Sequence, residues 1–177
     1  MFEDIKISST RTTKRVYLEI DEIKKWKGCV FPKEKKYLER DRDIFLFQIY
    51  IGYYYKDLQI FTKDQLVDDE EFGFFILGER DKNGNDTIIP LFKFPHAMAI
   101  LQKYGSDNSS PLIFKKEVFI EEQAYNRNLK EIAALSGISK RIFNKVARHT
   151  NAQLWVRCGA ERPIISKMLG HQKEETT

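Results

Sequence analysis

Residues 37–54 read YLERDRDIFLFQIYIGYY. Leu38, Asp41, Phe45, Gln48 and Ile49 recur at intervals of three and four, which predicts a helix. From Ile44 to Tyr55 the run is apolar nearly all round. A helix without a solvent face belongs in the middle of a domain, with the other elements arranged about it.

Reading outward from that helix, residues 1–15 are polar and end in the basic stretch Arg11–Arg15, which reads as a linker or arm. Val16-Tyr17-Leu18 leads into a helix over Glu19–Lys27, whose acidic start and lysine-rich end suit the helix dipole. Pro32 marks a loop. On the other side, Asp57-Leu58 gives a short helix and Thr62–Leu66 a polar turn. Phe72–Gly78 and Asp86–Leu91 are rich in aromatic and β-branched residues and read as strands, and Asn83-Gly84 between them is a hairpin turn signal. The hairpin carries Lys82 at its tip. Pro95 opens a helix over His96–Tyr104, closed by Gly105. The last third is helical: Glu121–Ser136 ends at Gly137, Ser139 caps a helix running to about Gly159, and Pro163–Leu169 forms another, ended by Gly170. The expected fold class is α+β, mainly α, with a small antiparallel sheet.

The chain of 177 residues is 42% hydrophobic and 13% aromatic, enough to bury one core and too little for two large ones. Thirty basic against 26 acidic residues leave a net charge of +4, which permits a polyanionic partner without demanding one. Cys29 and Cys158 are isolated, which suggests ordinary thiols and neither a zinc site nor a disulfide scaffold. No apolar run has the length of a membrane span, and the first residues lack the apolar core of a signal peptide. These features lead to the expectation of a cytoplasmic chain without membrane, metal or cofactor. A metal-dependent nuclease is disfavoured, because no cluster of Asp, Glu and His stands out.

Two short stretches carry the chemistry. Ala147-Arg148-His149-Thr150 is followed a helix later by Leu169-Gly170-His171. Either alone is unremarkable, an arginine on a helix face or a glycine helix end. In this order they resemble the Arg-His-Thr and Leu-Gly-His boxes of tyrosine recombinases, the phage integrase family. Lys82, followed by Ile89-Pro90-Leu91, occupies the place of that family's hairpin lysine. Phe45–Gln48, Gly52 and Asp57-Leu58 resemble its first box, and Leu129–Ala133 with Gly137-Ile138 resemble integrases of the Bacteroides kind. The resemblance covers nearly the whole chain. It implies that residues 16–177 form the catalytic domain, that the partner is double-stranded DNA, and that the full-length protein self-associates as a tetramer on it.

The implied reaction is attack of a tyrosine hydroxyl on a backbone phosphodiester, giving a 3′-phosphotyrosyl link and a free 5′-hydroxyl. Fixed cations can neutralise the charge that builds on the non-bridging oxygens. Arginine suits this because its planar fork binds two phosphate oxygens and keeps its proton. By resemblance Arg148 binds the scissile phosphate and His171 hydrogen-bonds it. Lys82 protonates the leaving 5′-oxygen as general acid. Lys145, three residues before Arg148 on the same helical face, fits a phosphate contact or proton relay.

The pattern has departures. Tyr54 stands where the family's first box has an arginine, a loss worth about 3 kcal/mol of transition-state stabilisation by analogy with oxyanion donors. Arg42 is the first candidate substitute cation, although its offset of twelve residues puts it roughly 120° round an ideal helix from Tyr54. Arg42 pairing with nearby acids such as Glu39 and Asp43 is an equal alternative. Asn151 stands where the family prefers phenylalanine, which is expected to expose a polar group. The resemblance places the nucleophilic tyrosine shortly after His171, and none of the eight tyrosines present stands in that context. This polypeptide is therefore expected to bind DNA without cleaving it.

A second reading treats Leu129–Arg141 as a helix-turn-helix, with small residues at the bend and basic residues opening the second helix. It makes the protein a non-catalytic regulator, and it leaves Lys82 and the Leu-Gly-His box unexplained. A third reading, resting on Tyr54, is a decayed integrase that still folds and binds DNA.

Overall fold

A computed structural model describes residues 15–80, 85–161, 163–165 and 169. The quoted stretch forms the central helix α2 (Leu38–Ile51), ten of whose residues are buried. Gly52 ends it in a left-handed conformation (φ 75°), and its N–H donates to the Gln48 carbonyl at 2.8 Å. This is the glycine helix stop, which residues with a Cβ adopt only at a cost.

Around α2 lie α1 (Ile20–Lys27), α4 (Pro95–Tyr104), α5 (Glu122–Leu135) and α6 (Asn144–Arg157). The Trp26 ring of α1 sits 4.7 Å from that of Phe45 on α2. Glu22 accepts the Glu19 N–H at 2.7 Å and so caps the start of α1. Pro95 opens α4, where the N–H it lacks has no helical partner to lose. The short α3 (Tyr55–Gln59) follows Gly52 almost at once.

Strands β1 (Leu66–Asp69), β2 (Gly73–Arg80) and β3 (Asn85–Pro90) form an antiparallel sheet in the order β1-β2-β3. The β2–β3 pairing runs from Phe75 opposite Pro90 to Arg80 opposite Asn85, so the two strands flank residues 81–84. The mainly helical α+β class with a small antiparallel sheet is as the sequence predicts.

Three local expectations are corrected. Leu66–Asp69, read as a turn and its surroundings, is an edge strand. It pairs along β2 with most of its side chains exposed, so it carries no apolar alternation to read. Ser139 does not cap α6, which begins at Asn144, where Asn126 Oδ1 accepts the Asn144 N–H at 2.8 Å. The segment between α5 and α6 therefore covers residues 136–143, against the three or four residues of a helix-turn-helix bend. Lys140, one of the basic residues expected to open the second helix of a helix-turn-helix, lies before α6 and donates to Glu22 at 2.5 Å and to the Tyr17 carbonyl at 2.9 Å. Val146, Ala147, Arg148, Thr150 and Asn151 of α6 are buried, largely against α2. The long connection and the burial of these residues depart from the helix-turn-helix pattern on which the regulator reading rests.

The expected arm falls outside the described residues except for Arg15, and the helix expected over Pro163–Leu169 is described only at Pro163–Ile165 and Leu169. No described helix is long and apolar enough to cross a membrane.

Candidate functional site

Three segments distant in sequence meet where α2 ends. Gly52 and Tyr54 come from the α2–α3 junction, Arg148 from α6, and Leu169 from beyond α6. Arg148 is 3% exposed. Its Nη1 donates to the Gly52 carbonyl at 2.9 Å and its Nη2 to the Leu169 carbonyl. Its guanidinium carbon lies 4.8 Å from the centre of the Tyr54 ring. A buried cation is costly unless its donors are occupied, and two backbone carbonyls and an aromatic face supply much of what water would. The guanidinium is thereby held in one orientation.

The next two residues of the same box do different work. The Thr150 hydroxyl accepts the Leu18 N–H at 3.0 Å and donates to the Val146 carbonyl at 2.8 Å. The His149 ring contacts the Val16 carbonyl through Nδ1 at 3.3 Å. Together they fasten the segment before α1 onto α6. Burial holds the His149 imidazole below its usual protonation range, against the pull of the Val16 carbonyl, and the charges of Arg15, Arg148 and Lys145 add to the lowering.

Asn151 is buried and not exposed, contrary to expectation. Its amide donates to the Ile49 and Tyr50 carbonyls at 2.8 and 3.0 Å, which caps the last turn of α2. A phenylalanine there could not make those bonds.

The loop after α2 is tied further. Gln48 Nε2 donates to the Tyr53 carbonyl at 3.2 Å, and Gln48 Oε1 accepts the Tyr125 hydroxyl of α5 at 2.8 Å. The Tyr53 hydroxyl meets Thr87 Oγ1 at 3.3 Å, and that hydroxyl donates to the Gly78 carbonyl at 2.9 Å. This connects the Arg148 loop to the hairpin of β2 and β3. Asp57 Oδ2 accepts the Tyr54 N–H at 3.1 Å. Sequence reading missed Gln48, Tyr53, Thr87 and Tyr125 as supports of the site.

Lys145 is exposed on α6, one turn before Arg148. Lys82 and His171 lie outside the described residues. Arg42 lies ten residues before Gly52, roughly 15 Å along α2. Its Nη2 donates to Asp43 at 2.7 Å, its Nη1 to the Cys29 carbonyl at 2.9 Å, and it stacks on Phe31 at 5.6 Å. Arg42 thus holds the loop before α2, and the geometry does not bring it to Tyr54 as a substitute cation.

The model of the phage integrase family matches residues 17–177. The chain belongs to this family. No protein among curated ones matches it. Its fold is similar to that of XerA recombinase, with a TM-score of 0.67 at 24% identity, over 91% of this chain and 58% of that one. It is similar also to XerH site-specific recombinase bound to difH substrate, with a TM-score of 0.66 at 17% identity, over 94% of this chain and 51% of that one. A lambda integrase dimer bound to a COC′ core site gives a TM-score of 0.64 at 18% identity, over 94% of this chain and 60% of that one. At such identities the likeness concerns the fold. The integrase-family chain spans about half to three-fifths of the length of these structures.

Proposed function

We propose that this integrase-family chain is the catalytic domain of a site-specific DNA recombinase of the tyrosine type. The observation that supports this best is the convergence on Arg148 of the Gly52 box and the Leu169 box, 96 and 21 residues away in sequence. Nothing in helix packing requires a buried arginine there. A phosphate clamp does require a guanidinium fixed before DNA arrives, because preorganised charge loses nothing to reorientation in the reaction.

In this reading the chain binds double-stranded DNA in the cytoplasm, with Arg148, Lys145 and His171 on the scissile phosphate. A tyrosine hydroxyl attacks the phosphorus and forms a 3′-phosphotyrosyl bond. The bond from phosphorus to the 5′-oxygen breaks, and Lys82 gives that oxygen its proton. Rejoining reverses these steps on an exchanged strand within a tetramer on DNA. Its chemistry calls for no metal or other cofactor. No tyrosine of this chain follows Tyr125, so residues 1–177 bind DNA and do not cleave it.

The test is equilibrium binding of a labelled duplex at a series of salt concentrations, followed by denaturing gels for covalent adducts. Binding that weakens steeply with salt, with no adduct, is the expected result. Affinity that does not change with salt would sink the proposal. Tyr54 favours a second reading, a relative that holds DNA but no longer cleaves. The two separate on a longer chain that carries a tyrosine after His171, where only a competent recombinase gives the adduct.

A further inference from the structure

Tyr54 stands at the lip of the site and is 39% exposed. Its backbone is extended (φ −74°, ψ 160°) as it begins α3, and Asp57 Oδ2 holds its N–H at 3.1 Å. The ring therefore starts from a fixed point. Arg148 approaches from α6, on a separate element, and its guanidinium carbon comes to 4.8 Å from the ring centre. The Gly52 and Leu169 carbonyls hold two of the guanidinium nitrogens, and the Tyr54 ring adds a contact from a separate element. An aromatic ring suits that place, since the guanidinium is weakly hydrated and is attracted to aromatic faces.

We propose that Tyr54 is a positioning residue for Arg148: its ring sets the plane in which the guanidinium meets a DNA phosphate. The proposal rests on the reading of Arg148 as a phosphate-binding residue. It gives position 54 a purpose that needs no charge. A ring steadies the existing cation and adds none, so the site grips its phosphate with one positive charge fewer than an arginine at 54 would provide.

The experiment compares the unaltered chain with Tyr54→Phe, Tyr54→Leu, Tyr54→Arg and Arg148→Gln. Binding of a fluorescent duplex of arbitrary sequence is followed by anisotropy across a salt series. Arginine side-chain resonances are followed by NMR without DNA, and folding by circular dichroism. Tyr54→Phe keeps the ring and is expected to keep both affinity and the ring-current shift of Arg148. Tyr54→Leu is expected to lose that shift, to weaken binding about fivefold, and to flatten the salt slope by up to about 0.9. Tyr54→Arg is expected to steepen the slope by about 0.9.

A Tyr54→Leu chain that melts earlier but keeps the unaltered slope and Arg148 resonance overturns the positioning role, because a merely structural residue behaves so. If Arg148→Gln folds and binds DNA as the unaltered chain does, the phosphate-binding reading itself fails. If Arg148→Gln binds more weakly while Tyr54→Leu does not, only the inference about Tyr54 fails. If the glutamine variant does not fold, Arg148→Lys replaces it: lysine keeps the charge but lacks the planar fork, so a phosphate-clamping Arg148 predicts weaker binding at an unchanged salt slope, and affinity equal to that of the unaltered chain overturns it.

Discussion

Replacing Gly52 with alanine adds one methyl group at the most crowded point of the site. That Cβ would lie 2.6 Å from Leu169 Cδ2, 2.9 Å from Asn151 Oδ1 and 3.2 Å from Asn151 Cγ. The leucine methyl is the end of a flexible side chain and can turn aside. Asn151 cannot move freely, because its amide donates to the Ile49 and Tyr50 carbonyls. Breaking either bond costs about 1 kcal/mol, and overpacking a tight site adds about 1–3 kcal/mol. The left-handed backbone (φ +75°) contributes about 1 kcal/mol more once a Cβ is present. The expected destabilisation is roughly 3–5 kcal/mol.

Gly137 provides the internal control. It too is left-handed (φ +66°), but a Cβ there meets nothing within 4 Å. Gly137→Ala should therefore cost only the backbone part, about 1 kcal/mol. Urea unfolding of both variants, extrapolated linearly, isolates the contact energy as their difference, provided the two slopes agree. A Gly52→Ala chain within about 0.5 kcal/mol of Gly137→Ala would refute the argument that Asn151 is pinned against Gly52.

Two further expectations concern charged groups. Arg42→Ala should lower stability by about 1–3 kcal/mol and leave the salt slope of DNA binding unchanged. The reason is that Asp43 keeps Lys103 and Tyr104 at 2.8 and 2.9 Å; a slope flattened by about 0.9 would instead make Arg42 a phosphate contact. His149 is held neutral by burial, with a folded pKa below the ordinary 6.5. The unfolded chain then binds more protons, so its contribution is complete above about pH 6.5 and is lost as pH falls towards the folded value. In His149→Gln, denaturation midpoints should lose that part of the pH dependence, and an unaltered profile would show that His149 is not its source.

The central helix was readable because burial on every side leaves a continuous apolar run, but that run carried the reading on to Tyr54, whereas Gly52 in its left-handed conformation stops the helix at Ile51. Arg148 was readable through its neighbours in the chain, since a box keeps its residues adjacent whatever the tertiary structure does. β1 left no trace because an exposed edge strand such as Leu66–Asp69 need not alternate. The start of α6 was misplaced because Ser139 is a good capping residue by type, whereas the group that meets the Asn144 N–H is the side chain of Asn126 on another helix. Asn151 could be noticed as a departure, but its purpose depends on two carbonyls a hundred residues earlier.

The supports of the site explain why its function is harder to read than its fold. Gln48 reaches Tyr125 across 77 positions, and Tyr53 reaches Thr87 across 34. Each residue taken singly is an ordinary helix or strand residue, and only the fold turns them into one network around the Gly52–Tyr54 loop. The attachments also differ in strength. The α6 side is held by Arg148 on the Gly52 carbonyl and by Asn151 on two more, of which the bonds to Gly52 and Ile49 are buried and that to Tyr50 is partly buried. Towards the hairpin, the Tyr53 and Thr87 hydroxyls meet at 3.3 Å, a long contact for such groups. On the proposed recombinase reading, the arginine assigned to the phosphate is held by charge-assisted bonds, and the hairpin assigned to carry the general acid meets the same loop through a longer contact.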